Sequence, residues 1–340
     1  MTVAQHALAA NRVDETSPRY RGWRVVLACF LMALFLFGFG LYGAGLYLVE
    51  LQRLNGWSAS LIAGASTLSL LLGNMLVAFT GELVAWLGLK RLVLLAIAAL
   101  AGSMVLLALA STPWLLYAAF ILMSLGWVGM GTVAIATLAG LWFVQRRGLA
   151  IGIAFTGASA GGVVITPLLV LLVESIGFKA AMLASAAVMV AILIPVVVAW
   201  IGPPPEAALP AGSVGASGSA GAPVPAGVSR MALMRRPAFW TLTLPFAIAV
   251  AAQVGFIVHQ IALLEPKIGQ VLAGFAVSLM TSMAIAGRLS LGMVIDRLNP
   301  RLVTAVLVVG QAAALLAILL TDSVVIVLSA CAVFGLAVGN

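Results

Sequence analysis

The chain has 340 residues, of which 64% are hydrophobic and 8% are charged, and its formal net charge is +8. In a soluble protein about a quarter of the residues are charged, so the composition excludes a water-soluble globular protein. The basic residues occur singly or in pairs instead of in long runs, which argues against nucleic-acid binding. We therefore predict an integral membrane protein whose main partner is the lipid bilayer.

Apolar runs of about 20 residues, long enough to cross a bilayer as helices, recur along the chain. The polar first 18 residues lack the apolar core of a cleaved signal peptide, so we expect the first run to be a true span. Because backbone groups cannot stay unpaired in lipid, these continuous runs predict helices and not a barrel. We predict ten spans, at residues 24–49, 58–80, 91–111, 114–142, 148–174, 179–202, 239–262, 271–295, 301–321 and 323–340.

The spans fall into two groups, six before and four after a stretch rich in Pro, Gly, Ala and Ser. Such a stretch cannot bury a core and predicts a flexible cytoplasmic linker. The predicted organisation is a cytoplasmic tail at 1–22, a six-helix bundle at 23–202, the linker at 203–237 and a partial, four-helix bundle at 238–340.

The basic residues predict the orientation in the membrane, because they favour the cytoplasmic side. With the N-terminus inside, thirteen of the 17 Lys and Arg residues fall on the cytoplasmic side. Only Arg53, Lys179 and Lys267 fall outside, and Arg288 lies within a span. We therefore expect a cytoplasmic N-terminus.

The two halves contain a similar turn. Residues 81–91 read GELVAWLGLKR, and residues 292–301 read GMVIDRLNPR. Each turn has a Gly at the end of an even-numbered span and basic residues at the start of the next. A repeat offset by about 210 residues predicts two pseudo-symmetric helix bundles of the kind found in secondary transporters.

These turns resemble the signature loop of the major facilitator superfamily, Gly-x-x-x-Asp-Arg-x-x-x-Arg/Lys. The matching residues are Gly81, Gly88, Lys90 and Arg91 in the first copy, and Gly292, Asp296, Arg297 and Arg301 in the second. The first copy departs from the pattern, since Ala85 and Trp86 occupy the acidic and basic positions. The resemblance implies that these residues form a cytoplasmic latch that opens as the two halves rock.

Four further stretches resemble the bacterial monocarboxylate and oxalate–formate branch of that superfamily. They are YGAGLY (42–47), NGWS (55–58), LWFVQRRGLAIGIAFTGASAGG (141–162) and GRLSLGMVIDR (287–297). The resemblance covers the chain from Gly22 onwards and implies a multi-pass protein of the bacterial inner membrane that needs no cofactor. It also implies twelve helices, so the last two are expected to be missing from this sequence.

Arg288 is the leading candidate for a substrate-binding residue. Eight residues at about 1.5 Å each place it about 12 Å from the turn at Asp296 and close to the bilayer midplane. An arginine at that depth costs about 2.5–3.5 kcal/mol, so a compensating partner is expected. Its guanidinium can bind a carboxylate through two hydrogen bonds, and the resemblance implies that role. Snorkelling to the headgroups, or a structural partner, remains the alternative.

The predicted spans contain few other polar residues that could bind a substrate. Tyr42, Asn74 and Gln253 are candidate substrate contacts, or alternatively form hydrogen bonds between helices. His259 is a candidate for proton coupling, or alternatively a structural residue. Proton-coupled carriers of the resembled branch have an aspartate one turn before the arginine, where this chain has Ala284. Exchange or uniport of anions is therefore favoured over proton symport.

Two groups of small residues predict close helix packing or helix bending. They are Gly126, Gly129 and Gly131 in GWVGMG, and Gly157, Gly161 and Gly162 in GASAGG, followed by Pro167. The resemblance implies that these faces slide during alternating access, and plain tight packing is the alternative. Cys29 and Cys331 lie in apolar runs, so we interpret them as small core residues and predict no disulfide or metal site.

The leading functional prediction is a secondary transporter of small organic anions, either monocarboxylates or short dicarboxylates. A counter-transported anion or a proton would be its coupling partner. The sparse polarity of the spans leaves open efflux of hydrophobic or aromatic compounds, and the expected loss of two helices leaves open a truncated paralogue that does not transport. An enzyme is not predicted, since the sequence shows no nucleophile–base pair, metal cluster or cofactor loop.

Overall fold

A computed structural model describes residues 14–202, 234–295 and 298–338 of the chain. All regular secondary structure in these ranges is helical, which confirms the predicted all-α class. Two short segments, π1 and π2, are π-helices. The elements are α1 (Gly22–Phe37), π1 (Gly38–Tyr42), α2 (Ala44–Asn55), α3 (Ala59–Val77), α4 (Thr80–Leu87), α5 (Leu89–Ala108), α6 (Pro113–Met130), α7 (Thr132–Trp142), α8 (Arg147–Ala160), π2 (Gly161–Ile165), α9 (Thr166–Ile176), α10 (Phe178–Trp200), α11 (Pro237–Ile268), α12 (Gln270–Val294), α13 (Pro300–Leu320) and α14 (Val324–Ala337).

The long helices of the described ranges have the length and composition of membrane spans. Nine segments in those ranges are long and apolar enough to cross a bilayer, and α14 is a shorter apolar helix. Each of them overlaps one of the ten predicted runs, so the predicted polytopic membrane fold is confirmed. The nine segments are Gly22–Tyr42, Ala59–Val77, Leu89–Ala108, Pro113–Trp142, Arg147–Ile176, Phe178–Trp200, Phe239–Ile257, Phe275–Val294 and Arg301–Leu320.

Side chains and prolines at the helix ends fix where several spans begin. The Ser58 hydroxyl accepts from the backbone N–H of Leu61 at 3.3 Å and caps α3. Thr112 caps α6 in the same way, and Pro113 follows at the first helical position, where its missing N–H has no helical role. Asn299 caps α13, since its side chain accepts from the backbone N–H of Arg301 at 3.0 Å.

The chain divides into two compact units, Met1–Ala220 and Gly221–Asn340. In the first unit α1 packs against α8, α6 packs against α3 and α5, and α10 packs against α5. In the second unit α12 packs against α11 and α14, and α14 also packs against α13. The predicted linker lies mostly outside the described residues, so its boundaries stay a prediction.

Each unit has its own apolar core. The first is built mainly from α1, α5, α6, α8 and α10, and includes Met32, Leu100 and Phe120. The second is smaller and includes Leu264, Ile318 and Phe334. At one end of the second unit the Lys267 ammonium donates to the carbonyl oxygens of Leu319 and Thr321, at 3.3 and 3.1 Å. Lys267 thereby fastens the end of α11 to the turn between α13 and α14.

Residues 14–21, called the N-terminal strap below, precede α1 as a series of turns. A carboxylate oxygen of Asp14 accepts from the backbone N–H of Thr16 at 2.9 Å. The backbone N–H of Tyr20 donates to the carbonyl oxygen of Ser17 at 3.0 Å. The Tyr20 hydroxyl donates to the carbonyl oxygen of Trp142. The strap is therefore attached to the end of α7, far along the chain from its own position.

Candidate functional site

Arg288 lies in α12, within the apolar segment Phe275–Val294. It is three to four residues from the middle of that segment, which corresponds to about 5 Å along the helix axis. Its side chain is partly buried within the second unit. Ala284, one turn earlier, is buried.

The backbone of α12 approaches that of α14 closely beside Arg288. A Cβ atom at Gly287 would overlap the carbonyl oxygen of Leu336, and a Cβ atom at Gly335 would overlap the carbonyl oxygen of Met280. Any larger residue at either glycine would push the two helices apart. The glycines therefore fix how α12 is rotated, and with it the direction in which the Arg288 Cα–Cβ bond leaves the helix.

Two glutamines of α11 lie on one face, because they are seven residues apart. Gln253 is partly buried, and Gln260 is 1% exposed. The Gln260 side-chain nitrogen lies 3.9 Å from the Cys331 sulfur, and its oxygen has no hydrogen-bond partner among the described residues. The sequence prediction missed Gln260, although its spacing from Gln253 was a usable signal. The side chain of His259 lies outside the described residues.

In the first unit Tyr42 ends π1 and packs against π2. Its ring lies 3.0 Å from the position that a Cβ atom at Gly162 would take. Gly38 faces the Ile165 side chain, and a Cβ atom at Gly161 would overlap the carbonyl oxygen of Leu34. These glycines let two π-helices touch, and π-helical turns are often found at functional sites.

Asn74 lies on α3 and is exposed. Its side-chain nitrogen donates to the carbonyl oxygen of Leu70 at 2.8 Å, so one of its two N–H donors is used within its own helix. An Asn at this position therefore has less to offer a ligand than the sequence alone suggests.

Trp127, the second residue of GWVGMG, carries an N–H donor that the sequence prediction missed. Its indole ring fills a niche left by two glycines, with ring atoms 3.2 Å and 3.4 Å from the Cβ positions of Gly73 and Gly40. Phe37 packs edge-on against it at a centroid distance of 5.1 Å. The indole nitrogen is buried and has no hydrogen-bond partner among the described residues.

The predicted packing glycines lie at helix contacts or helix breaks. A Cβ atom at Gly129 would lie 2.6 Å from the Leu92 carbonyl oxygen, and one at Gly157 would overlap the Phe30 carbonyl oxygen. Gly126 faces Leu36 at 3.4 Å. Gly131 separates α6 from α7, and Pro167 is exposed at the start of α9, directly after π2. Whether these positions move during transport stays a prediction.

The first signature turn joins α4 to α5 at Gly88. This glycine has φ +77° and ψ 149°, a backbone conformation that is almost limited to glycine. Lys90 donates to the carbonyl oxygen of Val198 at 2.7 Å, which ties the start of α5 to the end of α10. Arg91 is exposed, and Gly81 has no described atom within 4 Å of its Cβ position.

The second signature turn is described only in part. Gly292 is buried on α12, and Arg301 is exposed at the start of α13. Asp296 and Arg297 lie outside the described residues, so the latch stays a prediction. No group of three or more His, Cys, Asp and Glu side chains within the described ranges is placed to hold a metal ion.

The long apolar helices and the two compact units define a polytopic α-helical membrane protein. The family can also be stated: the sequence model of the Major Facilitator Superfamily matches residues 28–340, so this chain belongs to that superfamily. The resemblance predicted from the signature turns is thereby confirmed at the level of the superfamily.

The similar solved structures agree with this assignment. The proton:xylose symporter XylE shares the fold with a TM-score of 0.64 and 13% identity, over 94% of this chain and 79% of that one. The fucose:proton symporter FucP of E. coli has a TM-score of 0.63 and 16% identity, over 94% of this chain and 82% of that one. At these identities the likeness establishes the fold alone.

A sequence relative was found over a shorter stretch. The MFS-type transporter pynF of Aspergillus niger is 40% identical to this chain over 65 residues, which is 19% of this chain and 15% of the relative. The matched stretch thus spans less than a fifth of either protein, and it supports the membership of a transporter superfamily without indicating a substrate.

Proposed function

We propose that this chain is a secondary transporter of small organic anions, either monocarboxylates or short dicarboxylates, that works by alternating access. The observation that supports this most is the position of Arg288, partly buried near the middle of an apolar helix. A guanidinium remains charged at any working pH and offers two parallel N–H donors to a carboxylate. A fixed positive charge at this depth favours an anionic ligand over a neutral one.

We propose further that Tyr42 and Gln253 help to bind the substrate. Each carries a polar group at a partly buried or exposed position in a span. A phenol and an amide can both donate to carboxylate oxygens. Asn74 is the weaker member of the proposed set, because one of its N–H donors already binds Leu70.

For coupling, we propose anion exchange or uniport in preference to proton symport. Ala284 is buried one turn before Arg288, and the sequence of α12 contains no Asp or Glu. A proton symporter needs a group that gains and loses a proton during the cycle. His259 is the alternative proton-linked residue, since imidazole titrates near neutral pH.

The experiment is uptake of labelled lactate, formate and oxalate into proteoliposomes that contain the parent chain, Arg288→Ala, Arg288→Lys or Lys179→Gln. The parent should show saturable uptake of at least one anion. Arg288→Ala should lower uptake efficiency at least thirtyfold, roughly the loss on truncating one partner of a buried charge pair. Arg288→Lys should recover part of it, because the charge returns without the planar fork.

Lys179→Gln is the matched control, because it removes one exposed positive charge outside the proposed site. It should leave uptake close to that of the parent. Unchanged uptake by Arg288→Ala would remove Arg288 from the site. Absence of saturable uptake of all three anions by the parent would overturn the proposed substrate class.

A further inference from the structure

Glu15, in the N-terminal strap, is buried although it lies outside the apolar spans. Its side chain binds the turn between α7 and α8, and the residue is 7% exposed. One carboxylate oxygen accepts from the backbone N–H of Val144 at 2.8 Å, and the other accepts from that of Arg146 at 2.8 Å. The N–H of Gln145 lies 3.1 and 3.0 Å from the two oxygens. Three consecutive backbone donors thus bind one carboxylate.

These donors lie in the turn that leads into α8, and Arg146 is the N-cap residue of that helix. The positive end of the helix dipole also favours a carboxylate there. The negative charge of Glu15 is therefore balanced by backbone groups and not by the neighbouring arginine side chains. The Glu15 carboxylate, although close in sequence to Arg19 and Arg21, is bound to backbone N–H groups instead of to arginine side chains.

Tyr20 provides the second attachment of the strap. Its hydroxyl donates to the carbonyl oxygen of Trp142, and its ring packs edge-on against Phe143 at a centroid distance of 5.3 Å. Burial raises the pKa of Tyr20, and the charge of Glu15 acts in the same direction, so the hydroxyl keeps its proton and remains a donor. The strap is held at both ends of its length.

The consequence is that two arginine-bearing segments meet at one end of the first unit. Their arginines are exposed, and none has an ion pair with a carboxylate among the described residues: Arg19, Arg21, Arg24, Arg146 and Arg147. Asp14, the exposed acid of the strap, already accepts from Thr16. The apolar segments Gly22–Tyr42 and Arg147–Ile176 both begin here. In a bilayer spanned by these segments, the arginines would lie near the lipid headgroups.

We propose that the N-terminal strap and the turn between α7 and α8 form one binding surface for the phosphates of anionic phospholipids, with Glu15 as its positioning residue. Arginine binds phosphate through paired N–H donors, and a phosphodiester at the bilayer surface is the phosphate nearest to these side chains. Each arginine near the surface strengthens binding to anionic lipid about fivefold.

The effect of removing Glu15 on lipid binding distinguishes a positioning role from a simple effect of net charge. Removing a negative charge from a basic surface should strengthen the attraction of anionic lipid if only the net charge matters. If Glu15 instead holds the two arginine-bearing segments together, its removal should weaken binding although every arginine is still present.

The test uses the full chain, purified and freed of lipid in detergent, with phosphatidylglycerol, phosphatidylcholine and inorganic phosphate as separate probes. Bound lipid is counted by native mass spectrometry, and dissociation constants are taken from titrations. We expect phosphatidylglycerol to bind more tightly than phosphatidylcholine. Arg146→Gln should raise the dissociation constant for phosphatidylglycerol about fivefold. Glu15→Ala should raise it at least as much.

Arg91→Gln is the matched control, since it removes an exposed arginine from the start of α5, away from the strap. It should weaken the binding of phosphatidylglycerol less than Arg146→Gln does. If Glu15→Ala cannot be purified, Tyr20→Phe takes its place. It removes one attachment of the strap without changing any charge and should also weaken the binding of phosphatidylglycerol. Tighter binding of phosphatidylglycerol by Glu15→Ala, or equal effects of Arg91→Gln and Arg146→Gln, would overturn the proposal. Inorganic phosphate that binds as tightly as phosphatidylglycerol would indicate a site for a free anion and would also overturn the proposal.

Discussion

Single buried hydroxyl groups in this chain differ in whether they have a partner. Thr80 is 2% exposed, and its hydroxyl has no partner among the described residues. Thr156 is 9% exposed, and its hydroxyl donates to the carbonyl oxygen of Ile153 at 2.6 Å. A buried polar group without a partner keeps its desolvation cost, whereas a bonded one offsets it. The two threonines therefore form a natural pair for comparison.

We expect Thr80→Val to raise the free energy of unfolding by about 1–2 kcal/mol, because valine has nearly the same shape and no hydroxyl to desolvate. Thermal unfolding of the purified chain in detergent measures the change. Thr156→Val serves as the opposite control and should lower the melting temperature, since it breaks a hydrogen bond. A lower melting temperature for Thr80→Val would mean that its hydroxyl has a partner, such as a bound water.

Whole helices are brought together by glycines at a few points. α1 and α8 touch where Gly157 faces the carbonyl oxygen of Phe30, and no space remains for a methyl group. In contrast, no described atom lies within 4 Å of the Cβ position at Gly45 on α2. The same substitution should therefore have different effects at the two positions.

Gly157→Ala should lower the free energy of unfolding by about 1–3 kcal/mol, because the added methyl group forces α1 and α8 apart. Gly45→Ala should leave it unchanged or raise it by up to about 1 kcal/mol, through the better helix propensity of alanine. Both variants can be compared by thermal unfolding and by uptake in proteoliposomes. Equal stability of the two variants would show that α1 and α8 can separate at no cost.

At the scale of the whole molecule, the predicted orientation can be tested because both cysteines of the chain, Cys29 and Cys331, are buried. A cysteine introduced at an exposed position should then be the reactive one. Lys179 and Arg146 are both exposed and lie at opposite ends of the predicted spans. The parent chain, which has only buried thiols, is the background control.

With a cytoplasmic N-terminus, Lys179→Cys should react with a membrane-impermeant maleimide in intact cells. Arg146→Cys should react only after the membrane is made permeable. Gel shift or mass spectrometry of the labelled chain gives the result. The reverse pattern would invert the orientation and would place the strap on the outer surface.

Much of the fold follows from the sequence, because lipid imposes a strict rule on it. Spans must be long, apolar and helical, so their number and approximate positions can be read from composition. The first span was predicted as one helix over 24–49, whereas the structure divides it into α1, π1 and α2. Hydropathy does not distinguish α-helical from π-helical turns, so this division could not be predicted.

The candidate site was harder to predict than the spans. Arg288 stands out in the sequence because a charge in an apolar run is unusual. The buried nitrogen of Trp127 depends on Gly40 and Gly73 of other helices, and the burial of Glu15 depends on backbone groups of residues 144–146. Backbone donors leave no trace in the identity of a residue, so such contacts emerge only when the chain is folded.

The π-helix at Gly38–Tyr42 also has a consequence for the ancestry of this chain. Its backbone bond runs from the N–H of Gly43 to the carbonyl oxygen of Gly38 at 2.8 Å, so the loop it closes holds one residue more than an α-helical turn. Such a turn is the form that a single inserted codon takes when the helix on either side is kept intact. Relatives whose first helix is α-helical throughout should therefore align with a one-residue gap here. The position of that gap would show on which branch the insertion arose.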